Sequence, residues 1–119
     1  MNAPYRVTLS ETTTSTLRSL TQKTGLSANI LSRFAMLLSF EMPDPVVPEN
    51  GKAGLTINRT TLFGELEPFI MAAYGMSGGK LGGPGAAKEL AGHIARGAAF
   101  LNVRIQRLSD LLGIACDLS

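Results

Sequence analysis

His93 and Arg96 stand three residues apart in ELAGHIARG, a spacing that puts an imidazole and a guanidinium on one face of a helix. Such a pair can move a proton or hold a phosphate oxygen. Buried, the same pair serves as a hydrogen-bonded structural lock, and the sequence leaves both readings open. His93 is the single histidine and Cys116 the single cysteine among 119 residues. Metal sites use several His, Cys or carboxylate ligands at fixed spacing. No such set is visible, so neither a metal nor another cofactor is expected. Glu65 and Glu67, two apart on a helix, diverge and cannot form the clustered pair of a two-metal nuclease. The stretch GMSGGKLGGPG, Gly75 to Gly85, invites a nucleotide reading, but its register fails. Tyr74 stands where a P-loop requires its first glycine, and Leu81 follows Lys80 where Ser or Thr is required. Two readings remain: a flexible connector, or a loop whose bare amides meet a phosphate beside Lys80. Nucleotide hydrolysis is not expected.

Charge is distributed unevenly along the chain. The formal net charge is +2 and the pI is near 9, too mild to demand a nucleic-acid partner. Residues 1–40 carry Arg6, Arg18, Lys23 and Arg33 against Glu11. Residues 41–75 reverse the sign, with Glu41, Asp44, Glu49, Glu65 and Glu67 against Lys52 and Arg59. Residues 76–107 are basic again through Lys80, Lys88, Arg96, Arg104 and Arg107, against Glu89. If the two basic segments meet in space, they form a phosphate-binding face; otherwise they are solvated helix surface. One cysteine excludes an intrachain disulfide. With neither a signal-peptide pattern nor an apolar run long enough to span a bilayer, a cytoplasmic location is expected.

The elements that must position these residues start at Tyr5. Tyr5, Val7 and Leu9 alternate with Arg6 and Thr8, the period of a half-buried strand with the first three inward. Ser10 suits an N-cap and Gly25 a left-handed C-terminal position, which bounds a first helix. That helix is rich in threonine and is expected outermost, with Arg18 and Lys23 toward solvent or a ligand. Ser27 can cap a second helix whose apolar stripe comprises Ile30, Leu31, Phe34, Ala35, Leu37 and Leu38. Met42-Pro43 ends it. Pro43, Pro45 and Pro48 stiffen the connector that follows.

LTINR, Leu55 to Arg59, reads as a second strand, which can pair with the first inside one chain. The alternative takes a partner strand from a second subunit, as in ribbon-helix-helix proteins, which lay that ribbon in the DNA major groove. A third helix is expected over Glu65 to Tyr74 with Pro68 in its first turn. A fourth and longest begins at Pro84, with Leu90, Ile94, Gly97, Ala98, Leu101, Ile105 and Leu108 inward. Gly92 and Gly97 signal close packing against a neighbouring helix or subunit. A short turn capped by Ser109 closes the chain, and Cys116 reads as a packed thiol. The expectation is thus a mainly α, single-domain protein. It has a ribbon-helix-helix-like part at about 5–41, a proline-rich connector at 42–54 and a helical remainder at 55–119.

Three stretches, LSETTTSTLRSLTQKTGLSANILSRFAMLLSFE, GLTINRTTLFGE and GAAKELAGHIARG with its leucine-rich sequel, resemble the DndE family, a small component of the bacterial DNA phosphorothioation system. The resemblance spans nearly the whole chain in order. The chain departs at Ala95, where the family commonly carries asparagine, and the glycine-rich stretch is varied. The resemblance implies a mostly helical, homo-oligomeric protein with a ribbon-helix-helix-like element. It also implies binding to duplex DNA with a preference for nicks, and work beside sulfur-transfer partners and other phosphorothioation proteins such as DndC and DndD. A nicking endonuclease using His93 and Arg96, and a scaffold that never touches DNA, are the alternatives.

The expected DNA contacts are Arg18, Lys23, Ala28, Asn29, Arg33, Arg59, Lys80, Lys88, Arg96 and Arg104. Ala28 and Asn29 enter through their backbone amides at the start of the second helix. Arg and Lys on helices contact phosphates far more often than bases, and Arg6 and Thr8 alone are a thin set for sequence readout. Binding without base specificity is therefore the expectation at this level. An oligomer is expected from Gly92, Gly97 and leftover apolar residues, Met36 and Phe40 among them.

Overall fold

In the computed structural model, residues 3–49, 51–80, 85–107, 110 and 113 are described. The described elements run β1 (Arg6–Ser10), α1 (Glu11–Thr24), α2 (Ala28–Phe40), β2 (Ala53–Asn58), α3 (Arg59–Phe63), a 3₁₀ turn (Gly64–Leu66), α4 (Glu67–Met76) and α5 (Ala86–Arg104). The architecture is mainly helical with one two-stranded antiparallel sheet. The ribbon is made within one chain: Arg6 pairs with Asn58, Val7 with Ile57 and Thr8 with Thr56. A second subunit is not needed to satisfy β1.

Alternation holds inside β1, where Val7 and Leu9 are wholly buried while Arg6 and Thr8 are exposed. Tyr5 departs from the expected inward set at 84% exposure, because the strand begins one residue later and Tyr5 lies beyond the core's rim. The register slips between Thr8 and Ser10, which pairs with Ala53. Thr14 repairs the slip. Its hydroxyl donates to the Ser10 carbonyl at 2.8 Å and accepts from the Leu55 amide at 3.0 Å, so the backbone groups freed by the bulge stay paired. This turns α1 inward on a polar side. Thr13 and Thr14 are buried beside Leu17 and Leu20, so α1 is less of an outer helix than its composition suggests.

The caps of α1 form as read. The Ser10 side chain accepts from the Thr13 amide, and Gly25 takes φ 78° to end the helix. Ser27 precedes α2 but makes no side-chain cap bond. The α2 stripe is rotated from the expected one. Leu31, Ala35 and Leu38 are buried as read, but Ser32, Met36 and Ser39 join them, while Phe34 and Leu37 are half-buried and Ile30 is 43% exposed. The reason is that α2 packs most extensively on α5, which meets it at Ala35 and Ser39. β2 starts two residues before the expected strand, and Arg59 opens α3 instead of closing β2. The predicted third helix divides into the 3₁₀ turn and α4, with Pro68 in the first turn of α4.

α5 is the hub, packed on α2, α1 and β1. Leu90, Ile94, Gly97, Ala98, Leu101 and Ile105 are buried as expected. A methyl group at Gly97 would sit 2.1 Å from the Ala35 carbonyl oxygen, and one at Gly92 2.2 Å from that of Val47. The close approach signalled by these glycines is therefore spent on α2 and on the proline-rich connector of the same chain. Pro84, Leu108, Ser109 and Cys116 lie outside the described residues. Among the described residues, no helix is long and apolar enough to cross a membrane.

Candidate functional site

The two chemical candidates of α5 meet α2 in the core. Ser39, near the end of α2, is wholly buried, and its Oγ lies 2.8 Å from His93 Nδ1. Arg96 Nε donates to the same oxygen at 2.8 Å, a second guanidinium nitrogen donates to the Ser39 carbonyl at 2.9 Å, and the third to the Asp44 carbonyl at 2.7 Å. With its oxygen accepting from Arg96, Ser39 can give its proton to Nδ1, which fits an imidazole protonated on Nε2. Burial, then the Arg96 charge, hold the His93 pKa down at about 4, against a weaker upward pull from Glu89. His93 is therefore neutral near pH 7. Phe40 packs edge-on at 4.7 Å between ring centres. Tyr74 stands at 6.0 Å and donates its hydroxyl to Glu89 at 2.9 Å. Burial and that carboxylate push the Tyr74 phenol up.

A serine donating to an imidazole is the pairing of nucleophile and base. Here the serine has no exposed surface and its oxygen already accepts from Arg96, which holds it as a structural group, although Ser39, His93 and Arg96 all line a neighbouring cavity. The cluster joins α2, α5 and the proline-rich connector. A cavity of about 350 Å³ beside it reaches Gly78 and Gly79. Ser39 was missed in the sequence because a serine on an apolar helix carries no signal of its partner 54 residues away. Among the described residues, no group of three His, Cys, Asp or Glu is placed to hold a metal ion.

The remaining cations fall into two sets. In the first, the charge is taken up inside the chain. Lys23, expected to face solvent or a ligand, instead donates to both oxygens of Asn102 at 3.0 Å, because the end of α1 abuts α5. Arg33 donates to the Leu62 and Thr61 carbonyls at 2.6 and 3.0 Å, closing the end of α3. Arg59 holds Glu67 through two bonds of 2.6 Å, which raise the arginine pKa and lower that of the carboxylate. Arg104 lies over the Phe100 ring and donates to its carbonyl. Lys52 pairs with Glu11 at 3.7 Å.

In the second set, Arg6, Arg18, Lys80, Lys88 and Arg107 are exposed, with no side-chain hydrogen bond or ion pair among the described residues. Arg6 and Lys88 line one concavity of about 560 Å³ along the β1 edge of the ribbon, together with Thr8 and Glu49. Arg18 lines another with Gly54 and Leu55 on the β2 edge. The basic segments thus meet at the ribbon through Arg6 and Lys88, not around the start of α2. Ala28 and Asn29 stand there half-buried, and Lys23 and Arg33 turn toward α5 and α3. Of the glycine-rich stretch, 81–84 lie outside the described residues, so only Lys80 of the proposed phosphate loop is placed.

An intrachain ribbon against a helical core, with cations unpaired among the described residues at both ribbon edges, defines a small, mainly helical domain. The chain belongs to the DndE family: residues 6–108 match the family model described as DNA sulphur modification protein DndE. Among solved structures it is similar to DndE from Escherichia coli B7A, described as involved in DNA phosphorothioation modification. The TM-score is 0.73 at 27% identity, covering 85% of this chain and 99% of that one. A mutant form of DndE matches with a TM-score of 0.70 at 26% identity, over the same shares of both chains. No curated protein matches significantly.

Proposed function

We propose that this chain is the DNA-binding component of a cytoplasmic phosphorothioation machinery. It grips duplex or nicked DNA by backbone phosphates and works beside sulfur-transfer partners and other phosphorothioation proteins such as DndC and DndD. The observation that carries the reading is the pair of unpaired cations flanking the ribbon, Arg18 on the β2 edge and Lys88 on the β1 edge, in a chain of a DNA sulphur modification family. Phosphate contacts by exposed Arg and Lys supply affinity and steer association. A nick helps by lowering the cost of bending the duplex onto the protein. The ribbon-helix-helix likeness of residues 5–41 is one of element order, with both strands supplied by one chain. Catalysis of nicking by His93 is disfavoured by the burial of Ser39 and His93 and by the three acceptors that engage Arg96.

The protein works as a homo-oligomer in this reading. A groove between α2 and α4 exposes Phe69 at 61% and Met76 at 89%, beside Phe34, Leu37 and Phe40. Apolar area of that kind favours burial against another protein surface. The test of DNA binding is a salt series on nicked and intact duplexes of scrambled sequence. Affinity should fall with log salt at a slope of about 0.9 per phosphate neutralised, and Arg18→Ala or Lys88→Ala should each lower that slope by about 1. Affinity that ignores salt, or survives the double change intact, refutes the proposed face.

A further inference from the structure

We infer that the outward face of the β1–β2 ribbon is a base-reading surface that enters the DNA major groove. The inference rests on the DNA-binding reading above and adds to it where sequence information enters. Arg6 and Thr8 alone are too few to read a site. The intrachain register changes that count, because it sets Asn58 opposite Arg6 and Thr56 opposite Thr8. All four are exposed, on the face opposite Val7, Leu9 and Ile57.

Their chemistry matches base edges. An arginine fork fits the two acceptors of guanine, an asparagine amide fits adenine, and a threonine methyl packs on the methyl of thymine. Their availability matches as well. Among the described residues, the side chains of Arg6 and Asn58 have no hydrogen-bond partner. Asn58 is notable because it occupies the N-cap of α3 and yet makes no side-chain cap bond, the use to which asparagine is ordinarily put there. The exposed Thr8 and Thr56 hydroxyls bond to each other at 3.0 Å, which leaves one hydroxyl proton uncommitted among the described residues.

The dimensions agree. Two strands spaced roughly 4.8 Å apart enter a groove about 12 Å wide. Arg6 and Thr8 lie about 6.8 Å apart along an extended strand, two base steps at roughly 3.4 Å each. Seated so, the ribbon brings Arg18 on one edge and Lys88 on the other toward the phosphates that wall the groove. Two acidic groups, Glu11 and Glu49, stand at the Ser10–Ala53 end of the ribbon. There Glu11 pairs with Lys52 at 3.7 Å, and Glu49 accepts from Thr13. At the Arg6–Asn58 end Glu67 is neutralised by Arg59 through two bonds of 2.6 Å, and Arg6 keeps its charge unpaired among the described residues.

The experiment selects bound sequences from a duplex pool with a randomised centre, using the full chain. The wild type should enrich a short motif of about three base pairs per ribbon. Arg6→Ala and Asn58→Ala should each relax preference at one position by roughly tenfold. Arg6→Lys separates charge from fork geometry: it should keep affinity for the pool and lose the preference. Lys88→Ala should weaken all sequences alike. Asn58→Ser removes the amide but keeps a small polar side chain at a position that makes no cap bond, and circular dichroism checks that each variant is folded. Binding without enrichment, or an Arg6→Lys variant with unchanged preference, overturns the ribbon assignment and leaves phosphate binding standing. Failure of the wild type to bind any duplex overturns both.

Discussion

Replacing Arg96 by alanine separates a structural cation from a binding one. The guanidinium holds three acceptors, Ser39 Oγ, the Ser39 carbonyl and the Asp44 carbonyl, at 2.7 to 2.9 Å. A hydrogen bond from a charged group contributes about 1.5–3 kcal/mol, and a buried acceptor left unmade costs about 1–3 kcal/mol. Ser39 is wholly buried, whereas the Asp44 end of Arg96 is exposed. Counting the two Ser39 bonds in full, discounting the third and allowing for non-additivity, the loss is about 3 kcal/mol. For a domain of this size that lowers Tm by roughly 10 °C. Urea unfolding followed by far-ultraviolet circular dichroism measures it, which suits a chain without tryptophan. The DNA salt slope, measured where the variant is folded, should stay unchanged. Arg18→Ala should do the reverse: stability within about 0.5 kcal/mol of the wild type and a slope lower by about 1. If Arg96→Ala costs less than about 1 kcal/mol, or lowers the salt slope as Arg18→Ala does, the division of cations into two sets is wrong.

His93 contributes stability that depends on pH. Its folded pKa of about 4 lies below the ordinary 6.5, so the unfolded chain takes up the proton first as pH falls. Stability should decline between pH 6.5 and pH 4 and level off below. The urea midpoint across that range, compared with His93→Gln, tests this, and the lone histidine gives an unambiguous NMR titration. Gly97→Ala should destabilise by about 1–3 kcal/mol, because its methyl meets backbone at 2.1 Å and α2 and α5 must part; a melting curve identical to wild type would contradict that packing. Charging the α2–α4 groove with Phe69→Asp and Met76→Asp should shift light-scattering mass toward monomer while the helical signal is retained. Unchanged mass would place the oligomer contact elsewhere.

What the sequence by itself determined was local. The alternation of Val7 and Leu9, the Ser10 cap, the left-handed Gly25, Pro68 in a first turn and the inner stripe of α5 all follow from a few neighbouring residues, and each appears in the structure. The family was legible for a related reason, since its motifs are contiguous strings. What the tertiary structure decided was the partner of each polar side chain. Lys23 and Arg96 read as ligands in a one-dimensional count of charge. Asn102, 79 residues from Lys23, and Ser39, 57 from Arg96, claim them instead. The same holds for the rotation of α2, set by the side on which α5 meets it. It holds for the ribbon as well, where a pairing across 48 residues puts Thr56 beside Thr8. Local rules act through backbone geometry over a few residues. A hydrogen bond between distant residues exists only once packing has brought them together, so the cations left unpaired could be named only after the chain had folded.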